Sequence, residues 1–157
     1  NDILKSNNFP PAIYMKTAAL AYQAKHMPLM LKALNQCLKN AGPKTNPKIL
    51  LNAASFYAKV GKLAEAEKAM AMYLEKKPAD WRASLDLAAM QIALKKTDNT
   101  LAILQRAVKH GNRQALKIIQ NDRQFAPFRK QIEESIGNNR PRQGTLPGFP
   151  GIRSQGR

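Results

Sequence analysis

Side chains able to act as nucleophiles or general bases are few in this sequence and lie far apart. His26 and His110 both fall in short breaks between apolar segments. A histidine at such a position is more often a cap favoured by a helix dipole than a general base. The one cysteine, Cys37, shares an apolar helix face with Met30 and Leu34, which is typical of a core residue. We therefore expect no catalytic residue.

The sequence also lacks the common metal-binding and phosphate-binding patterns. No cysteine–histidine spacing suits zinc, no acidic cluster suits calcium, and no Gly-x-x-x-x-Gly-Lys loop is present to hold a phosphate. A single cysteine excludes an internal disulfide. The six methionines are expected to fill the core. We expect neither a metal nor a cofactor.

Composition indicates one folded domain and an anionic partner. The chain has 157 residues, of which 44% are hydrophobic, and this excludes a uniformly disordered chain. No apolar run reaches the roughly 18 residues that would indicate a membrane-spanning helix. Twenty-six Lys and Arg against ten Asp and Glu give a net charge of +16. That excess favours nucleic acid, lipid head groups or an acidic protein surface as the partner.

The elements that would position any site are helices. Alanine, leucine, lysine and methionine, which favour helices, dominate residues 12–110. Proline, glycine and asparagine divide this stretch into segments of about a dozen residues, a usual helix length. Apolar residues recur at three and four positions, as in Leu63, Ala66, Ala69, Met70, Tyr73 and Leu74. No segment shows the alternation of a strand, so the sequence predicts an all-α fold.

The helical segments repeat at a nearly fixed interval. Tyr22 and Tyr57 lie 35 residues apart, as do Pro43 and Pro78, and a third unit follows at 34 residues. Two helices in each interval of this length are typical of a helical solenoid, in which repeats stack and shield one another.

The middle unit, residues 47–80, carries the most complete pattern. Its members are Leu50, Ala53, Ala54, Tyr57, Gly61, Ala66, Met70, Tyr73 and Pro78. In residue types and spacing this resembles the tetratricopeptide repeat family. The first unit departs from the family pattern at His26, in place of the turn glycine, and at Asn35, in place of a large apolar residue. The third departs at Lys95 and Thr100. The resemblance implies a right-handed solenoid of three helical hairpins.

This interpretation divides the chain into six segments. They are an extended leader (1–11), three hairpins (12–46, 47–80 and 81–111), capping helices (112–136) and a Gly/Pro/Arg-rich tail (137–157). The tail contains four Arg, eight Gly or Pro and no acid, which predicts an irregular basic segment. Three apolar residues spaced at three, Leu146, Phe149 and Ile152, are expected to be its anchors on another surface.

The resemblance also implies a binding site. In the family, the first helices of successive hairpins line a concave groove that receives extended peptides. Carried over position by position, the groove residues are Lys16, Gln23, Lys48, Asn52, Lys59 and Arg82. Some family members hold an acidic C-terminal peptide with a clamp of lysines, asparagines and arginine. Lys16, Asn52 and Arg82 fit that clamp, but Leu20 and Asp86 depart from it, so we expect no clamp of that kind.

The sequence therefore predicts a non-catalytic adaptor or assembly subunit within a larger complex. Its basic groove would bind an acidic or extended segment of a partner protein, with the two terminal segments acting as straps. The alternative is a nucleic-acid-binding helical repeat that uses the basic surface and the Arg-rich tail. Aromatic residues make up only 6% of the chain and fall mostly at core positions of the repeat. Single-strand binders usually offer exposed stacking rings, so this composition favours the protein partner.

Overall fold

A computed structural model of the chain describes residues 8–138. Over that range the chain forms seven α-helices and one 3₁₀ helix, without a strand, and 79% of these residues are helical. The elements are α1 (Pro11–Gln23), α2 (Met27–Lys39), α3 (Pro47–Lys59), α4 (Leu63–Lys76), α5 (Trp81–Ala93), α6 (Thr100–Asn121), a 3₁₀ helix (Arg123–Phe128) and α7 (Arg129–Asn138). The all-α prediction is confirmed. The predicted anchors Leu146, Phe149 and Ile152 lie outside the described residues.

Polar residues at the inter-helix breaks start three of these helices. Asn46 Oδ1 accepts the Lys48 N–H at 3.0 Å at the start of α3, and Asp80 Oδ1 accepts the Ala83 N–H at 3.1 Å at the start of α5. His26 Nδ1 accepts the Leu29 N–H at 3.2 Å at the start of α2. Each satisfies a backbone donor that the first turn of a helix leaves free. His26 is therefore a helix cap, as expected, but it begins the following helix instead of closing the preceding one.

Helices α1, α3 and α5 end in the same turn. The backbone φ is positive at Lys25 (55°), Gly61 (73°) and Lys95 (57°). In each case the next N–H donates to the carbonyl five residues back, from His26 to Ala21 O, from Lys62 to Tyr57 O and from Lys96 to Gln91 O. This turn favours glycine because it lacks a Cβ, and the two lysines adopt it at a cost. The turn position of the first hairpin is thus Lys25, and its assignment to His26 was wrong by one residue.

The buried residues show that the whole first hairpin is shifted by one residue from its predicted alignment. Ala18, Ala54 and Ala88 are all fully buried at equivalent points of α1, α3 and α5. They lie 36 and then 34 residues apart. We call α1, α3 and α5, the first helices of their hairpins, the inner helices, and α2, α4 and α6, the second ones, the outer helices. The same pair of offsets relates the large apolar residues of α2, α4 and α6. Those residues are Leu34, Met70 and Leu104. Asn35 is therefore not a departure from the repeat, since Leu34 fills the large apolar position.

The unequal offsets come from the loops between hairpins. Residues 40–46 separate α2 from α3, whereas only residues 77–80 separate α4 from α5. In the longer loop, Thr45 Oγ1 accepts the Gly42 N–H at 2.8 Å. Lys76 Nζ, from α4, donates to the carbonyls of Gly42 (3.0 Å) and Pro43 (2.8 Å). Helix packing fixes the positions inside a hairpin, while the loop sets how far along the chain the next hairpin begins.

Each inner helix pairs with its outer helix, and consecutive pairs contact one another. Helix α1 packs on α2, α3 on α4, and α5 on α6, while α3 also contacts α1 and α2, and α5 contacts α4. Helix α5 has two buried sides. Ala83 and Leu87 belong to the core shared with the preceding helices, and Leu85 and Ala88 belong to the core shared with the following ones. A helix buried on two sides between neighbours is what a helical repeat requires.

The C-terminal elements cover the second core. Phe125 and Ile132 are at most 1% exposed and pack there with α5 and α6. Helix α6 crosses the predicted boundary at 111/112, where Asn112 forms a kink with φ 47° and ψ −130°. A Cβ at Gly111 would lie 2.6 Å from the Trp81 ring, so a glycine is required under that ring.

The side chain of Arg129 caps the C-terminal end of α6. Arg129 Nε donates to the Ile119 carbonyl at 3.1 Å and its Nη2 to the Asp122 carbonyl at 2.9 Å. Carbonyls in the last turn of a helix lack intrahelical donors, and a cation there is favoured by the helix dipole. Arg129 is half-buried in this position. Helix α7 continues to Asn138, two residues into the segment predicted as tail.

Candidate functional site

One side of the three inner helices forms what we call the polar face. Its twelve residues are Ala12, Lys16, Ala19 and Gln23 on α1, Lys48, Asn52, Ser55 and Lys59 on α3, and Arg82, Asp86, Ala89 and Ala93 on α5. Spacings of four, three and four keep each set on one side of its helix. Ten of the twelve side chains are exposed, and Ala19 and Ala89 are half-buried.

All six groove residues predicted from the sequence lie on the polar face. They fall into rows related by the 36- and 34-residue offsets of the repeat. Lys48 and Arg82 share one row, Gln23 and Lys59 a second. A third row combines Lys16, Asn52 and Asp86. The prediction listed these six residues without arranging them in rows, and the rows follow from the 36- and 34-residue offsets found in the structure.

The polar face carries four cations and one acid. Among residues 8–138, the two ion pairs within 4.0 Å are Lys96 with Glu67 and Lys130 with Glu134, and neither includes a lysine or arginine of the face. Lys59 Nζ lies 5.7 Å from the centroid of the Phe56 ring, and the Arg82 guanidinium lies 5.0 Å from that of Trp81. These ring contacts orient the two cations without neutralising them. The face thus offers positive charge to an external anion.

Asp86 interrupts this positive surface. Desolvation by neighbouring groups, and then the nearby charge of Asp80, raise the pKa of Asp86 above its usual value. Both effects act against the carboxylate form. Asp86 occupies the position that Asn52 has in α3 and Lys16 has in α1, so the charge of this row changes from positive through neutral to negative along the chain.

Buried tyrosines set the spacing of the helices beneath the polar face. Tyr57 is 1% exposed, and its hydroxyl donates to Asn35 Oδ1 at 2.7 Å, which links α3 to the outer helix of the preceding hairpin. Burial raises the pKa of Tyr57. The Tyr73 hydroxyl donates to Asp80 Oδ2 at 2.6 Å, and this hydrogen bond is the main reason that the pKa of Tyr73 rises to about 12. The core positions expected for both tyrosines are confirmed.

We call the contact between the first and second hairpins the first joint and that between the second and third the second joint. At the first joint the Tyr22 and Phe56 rings meet edge to face, with centroids 5.3 Å apart, beside the bond from Tyr57 to Asn35. Sequence reasoning missed Asn35 as the acceptor, because the one-residue misalignment placed it at a core position.

The second joint is polar at the same place. Glu67 accepts from Lys96 Nζ at 2.7 Å and from Gln91 Nε2 at 3.4 Å. Gln91 Oε1 in turn accepts from the fully buried Thr100 hydroxyl at 3.3 Å. Gln91 is the equivalent of Tyr57 in the repeat. The only sequence signal of this network is the polar residue at the position equivalent to Tyr57.

A cavity of about 1020 Å³ lies away from the polar face, between the C-terminal turns of α4 and α7 and the middle of α6. Its lining includes Leu74, Glu75, Arg106, His110 and Ile136. It shares no residue with the polar face. His110, the second candidate base in the sequence, is exposed and lies in α6 at this cavity, two residues before the kink at Asn112.

The remaining chemistry-bearing groups have structural positions. Cys37 is fully buried, as predicted, and burial raises the pKa of its thiol to about 11. Among residues 8–138, no three His, Cys, Asp or Glu side chains are grouped closely enough to hold a metal ion. Over the same range, no helix is both long enough and apolar enough to cross a bilayer.

Comparisons with known proteins give no relative for this chain. No family model matches its sequence, and neither the curated proteins nor the solved structures yield a match. The internal repeat and the polar face therefore carry the functional argument.

Proposed function

We propose that this chain is a non-catalytic adaptor or assembly subunit of the tetratricopeptide-repeat type, whose polar face binds an acidic, extended segment of a partner protein. In this proposal the hairpins stack as a right-handed solenoid, so that α1, α3 and α5 line one continuous groove. The observation that carries the proposal is the row arrangement of the polar face. Each of the three inner helices contributes at least one exposed cation to this face, namely Lys16, Lys48, Lys59 and Arg82, and none of them has an acidic partner within 4.0 Å among residues 8–138.

The energetics define the kind of segment that would bind. Micromolar affinity requires about 8 kcal/mol, whereas exposed ion pairs contribute only about 0.2–1 kcal/mol each. Four cations alone are therefore insufficient. The polar face also has four alanines, Ala12, Ala19, Ala89 and Ala93, which leave room for apolar side chains of a ligand. The segment that fits best alternates acidic and apolar residues, so that it neutralises the cations and covers the small side chains.

Nucleic acid fits this surface less well. Binding to a single strand usually combines cations with exposed aromatic rings on which bases stack. Here Tyr14, Tyr57 and Tyr73 are at most 8% exposed, and the polar face itself has no aromatic residue. Asp86 would also repel a phosphate backbone. These features favour the protein segment over the nucleic-acid alternative.

A binding titration with a charge-matched control tests the proposal. The probe is a fluorescein-labelled 12-residue peptide of alternating Glu and Leu, titrated with the full chain at physiological salt. The double variant Lys48→Glu with Arg82→Glu is expected to weaken binding at least about tenfold, or about 1.4 kcal/mol. The control is Lys68→Glu with Lys109→Glu, which makes the same charge change at exposed positions of α4 and α6.

The control and a nucleic-acid arm decide between the proposals. If the control weakens peptide binding as much as the face variant, the attraction is general and the polar face is not the site. A poly-uridine strand of equal length, titrated in parallel, tests the alternative. Tighter binding of that strand, lost in the face variant and steeply dependent on salt, would favour the nucleic-acid function instead.

A further inference from the structure

A second surface is identified by comparing the three inner helices with one another. Beside the residues that pair with the outer helix, each inner helix has three side chains that we call its stacking face. They are Ile13, Thr17 and Leu20 on α1, Ile49, Ala53 and Phe56 on α3, and Ala83, Leu87 and Met90 on α5. The 36- and 34-residue offsets of the repeat relate the three sets.

The stacking faces of α3 and α5 are covered by the preceding hairpin. Ala53, Ala83 and Leu87 are at most 5% exposed and belong to the first core. Ile49, Phe56 and Met90 are half-buried and pack against that core. The Tyr22 ring on α1 lies directly against Phe56. Each of these faces is therefore an interface between one hairpin and the next.

The same face of α1 is open. Leu20 is 66% exposed and Ile13 is 44% exposed, although their equivalents on α3 are half-buried. Within residues 8–138 no element packs over them. Large apolar side chains at an interface position of a repeat indicate a surface built to be covered.

Charge defines what would cover it. The first hairpin, residues 11–39, contains four Lys and no Asp or Glu. At the second joint the equivalent cover is α4, whose Glu67 accepts from Lys96 in the turn after the inner helix. The turn after α1 contains Lys25 and His26. An acidic residue on a covering helix would therefore have a cationic neighbour here too. A second copy of this chain would instead bring two lysine-rich hairpins together.

We infer that the stacking face of α1 is a docking site for an amphipathic helix of a partner protein, with an aliphatic stripe flanked by acidic residues. It packs on Ile13 and Leu20 as α4 packs on α5. The site lies beside the polar face and does not depend on it, so the two can be tested separately.

The chain supplies both the probe and its control. The probe is a hydrocarbon-stapled, fluorescein-labelled peptide of residues 63–80, which contain α4, three Glu and one Asp against three Lys. The staple removes most of the cost of forming a short isolated helix. The control peptide, residues 27–46, contains the amphipathic α2, with three Lys and no acid. We expect the full chain to bind the α4 peptide at least tenfold more tightly than the α2 peptide.

Variants of the full chain locate the binding. Leu20→Asp is expected to lower the affinity of the full chain for the α4 peptide at least tenfold. Ile118→Asp, at a 41% exposed apolar residue on α6, is expected to leave that affinity unchanged. Thr17→Leu, which introduces the residue that α5 has at this position, is expected to tighten binding several-fold. Circular dichroism confirms that each variant is folded.

Four results would overturn the inference. The first is equal binding by Leu20→Asp and Ile118→Asp, and the second is tighter binding of the basic α2 peptide. The third is a dimer in sedimentation that Leu20→Asp dissociates, which would make a second copy the occupant. The fourth is a tenfold gain in peptide affinity when residues 1–7 or 139–157 are deleted, which would assign the face to a segment of this chain.

Discussion

The two joints between hairpins use opposite chemistry at the same position of the repeat. At the first joint an aromatic side chain, Tyr57, spans the gap and ends on the amide of Asn35. At the second joint the shorter Gln91 bonds to Glu67, which also holds Lys96. The backbone turns next to these residues share the hydrogen bond to the carbonyl five residues back, from Lys62 to Tyr57 O and from Lys96 to Gln91 O. The repeat therefore fixes backbone register, while the side chains that join one hairpin to the next are free to be apolar or charged.

The largest expected effect is the loss of the buried Tyr57 ring at the first joint. Tyr57→Ala should lower the free energy of unfolding by about 3–5 kcal/mol, because it removes a fully buried ring and leaves a cavity. Tyr57→Phe keeps the ring and loses only the bond to Asn35, which should cost about 0.5–1.5 kcal/mol. Urea unfolding of both variants measures the difference. A loss below about 1 kcal/mol for Tyr57→Ala would mean that the first joint does not depend on this ring.

Alkaline pH should weaken both joints. The folded-state pKa values of Tyr73 (about 12) and Cys37 (about 11) lie above those of the unfolded chain, and burial raises that of Tyr57 as well. The neutral forms are therefore favoured by folding. This stability is fully present below the unfolded values and is lost as pH rises through the folded ones. Urea unfolding between about pH 8 and 12 should show a steady decline.

Tyr73→Phe distinguishes the two joints in this alkaline range. It removes the hydroxyl that bonds to Asp80 at the second joint and leaves Tyr57 and Cys37 in place. In Tyr73→Phe, the free energy of unfolding should fall less steeply at the high-pH end of the range. The fall at lower pH, which is due to Cys37, should remain. An unchanged curve would show that Tyr73 does not contribute to the pH dependence.

On the polar face, a residue of the third hairpin can be replaced by the residue at the equivalent position of the second hairpin. Asp86→Asn gives α5 the residue that α3 has at the equivalent position, Asn52. Removing one repulsive charge should improve binding of the Glu/Leu peptide by about 0.2–1 kcal/mol, which is up to about fivefold. Asp98→Asn removes the same charge in the exposed turn between α5 and α6 and should not change the affinity. An equal gain in peptide affinity in both variants would show that the effect comes from net charge and not from the position of Asp86.

The smallest expected effect concerns the ion pair at the second joint. Glu67→Gln should lower the free energy of unfolding by about 0.2–1 kcal/mol at low salt, because Lys96 is more than half exposed, and by less at 1 M NaCl. Glu134→Gln breaks the exposed pair with Lys130 and should have no measurable effect. A salt-independent loss in Glu67→Gln would point to its bond with Gln91 instead.

The fold class was predictable because apolar spacing reports directly on helix faces. The complete pattern of the middle hairpin also placed Tyr57, Tyr73 and the Gly61 turn correctly. The first hairpin was misaligned by one residue, since Tyr22 and Pro43 happen to lie 35 residues before residues of the same type. Helix packing does not constrain the length of an inter-hairpin loop, so loop length cannot be inferred from the periodicity of the helices.

The candidate site was predictable only as a set of exposed positions. The resemblance to the repeat family supplied Lys48, Asn52 and Lys59 on α3 together with the matching positions on α1 and α5. The open stacking face was missed, because Leu20 was assigned to the peptide clamp of the groove and Ile13 has the spacing of a core residue. Whether such a residue is covered depends on which neighbour is present, and that information is not local to the sequence. The joint contacts of Asn35 and Glu67 are long-range for the same reason.

The loop of residues 40–46 makes the chain suitable for splitting into two polypeptides. Lys76 Nζ, from α4, donates hydrogen bonds to the carbonyls of Gly42 and Pro43. The Tyr22–Phe56 and Tyr57–Asn35 contacts join the first hairpin to the second and involve no residue of the loop. A break between Pro43 and Lys44 would leave those attachments intact. Coexpressed fragments 1–43 and 44–157 should therefore reassemble, and a reporter protein inserted at that point would be carried without disturbing either half.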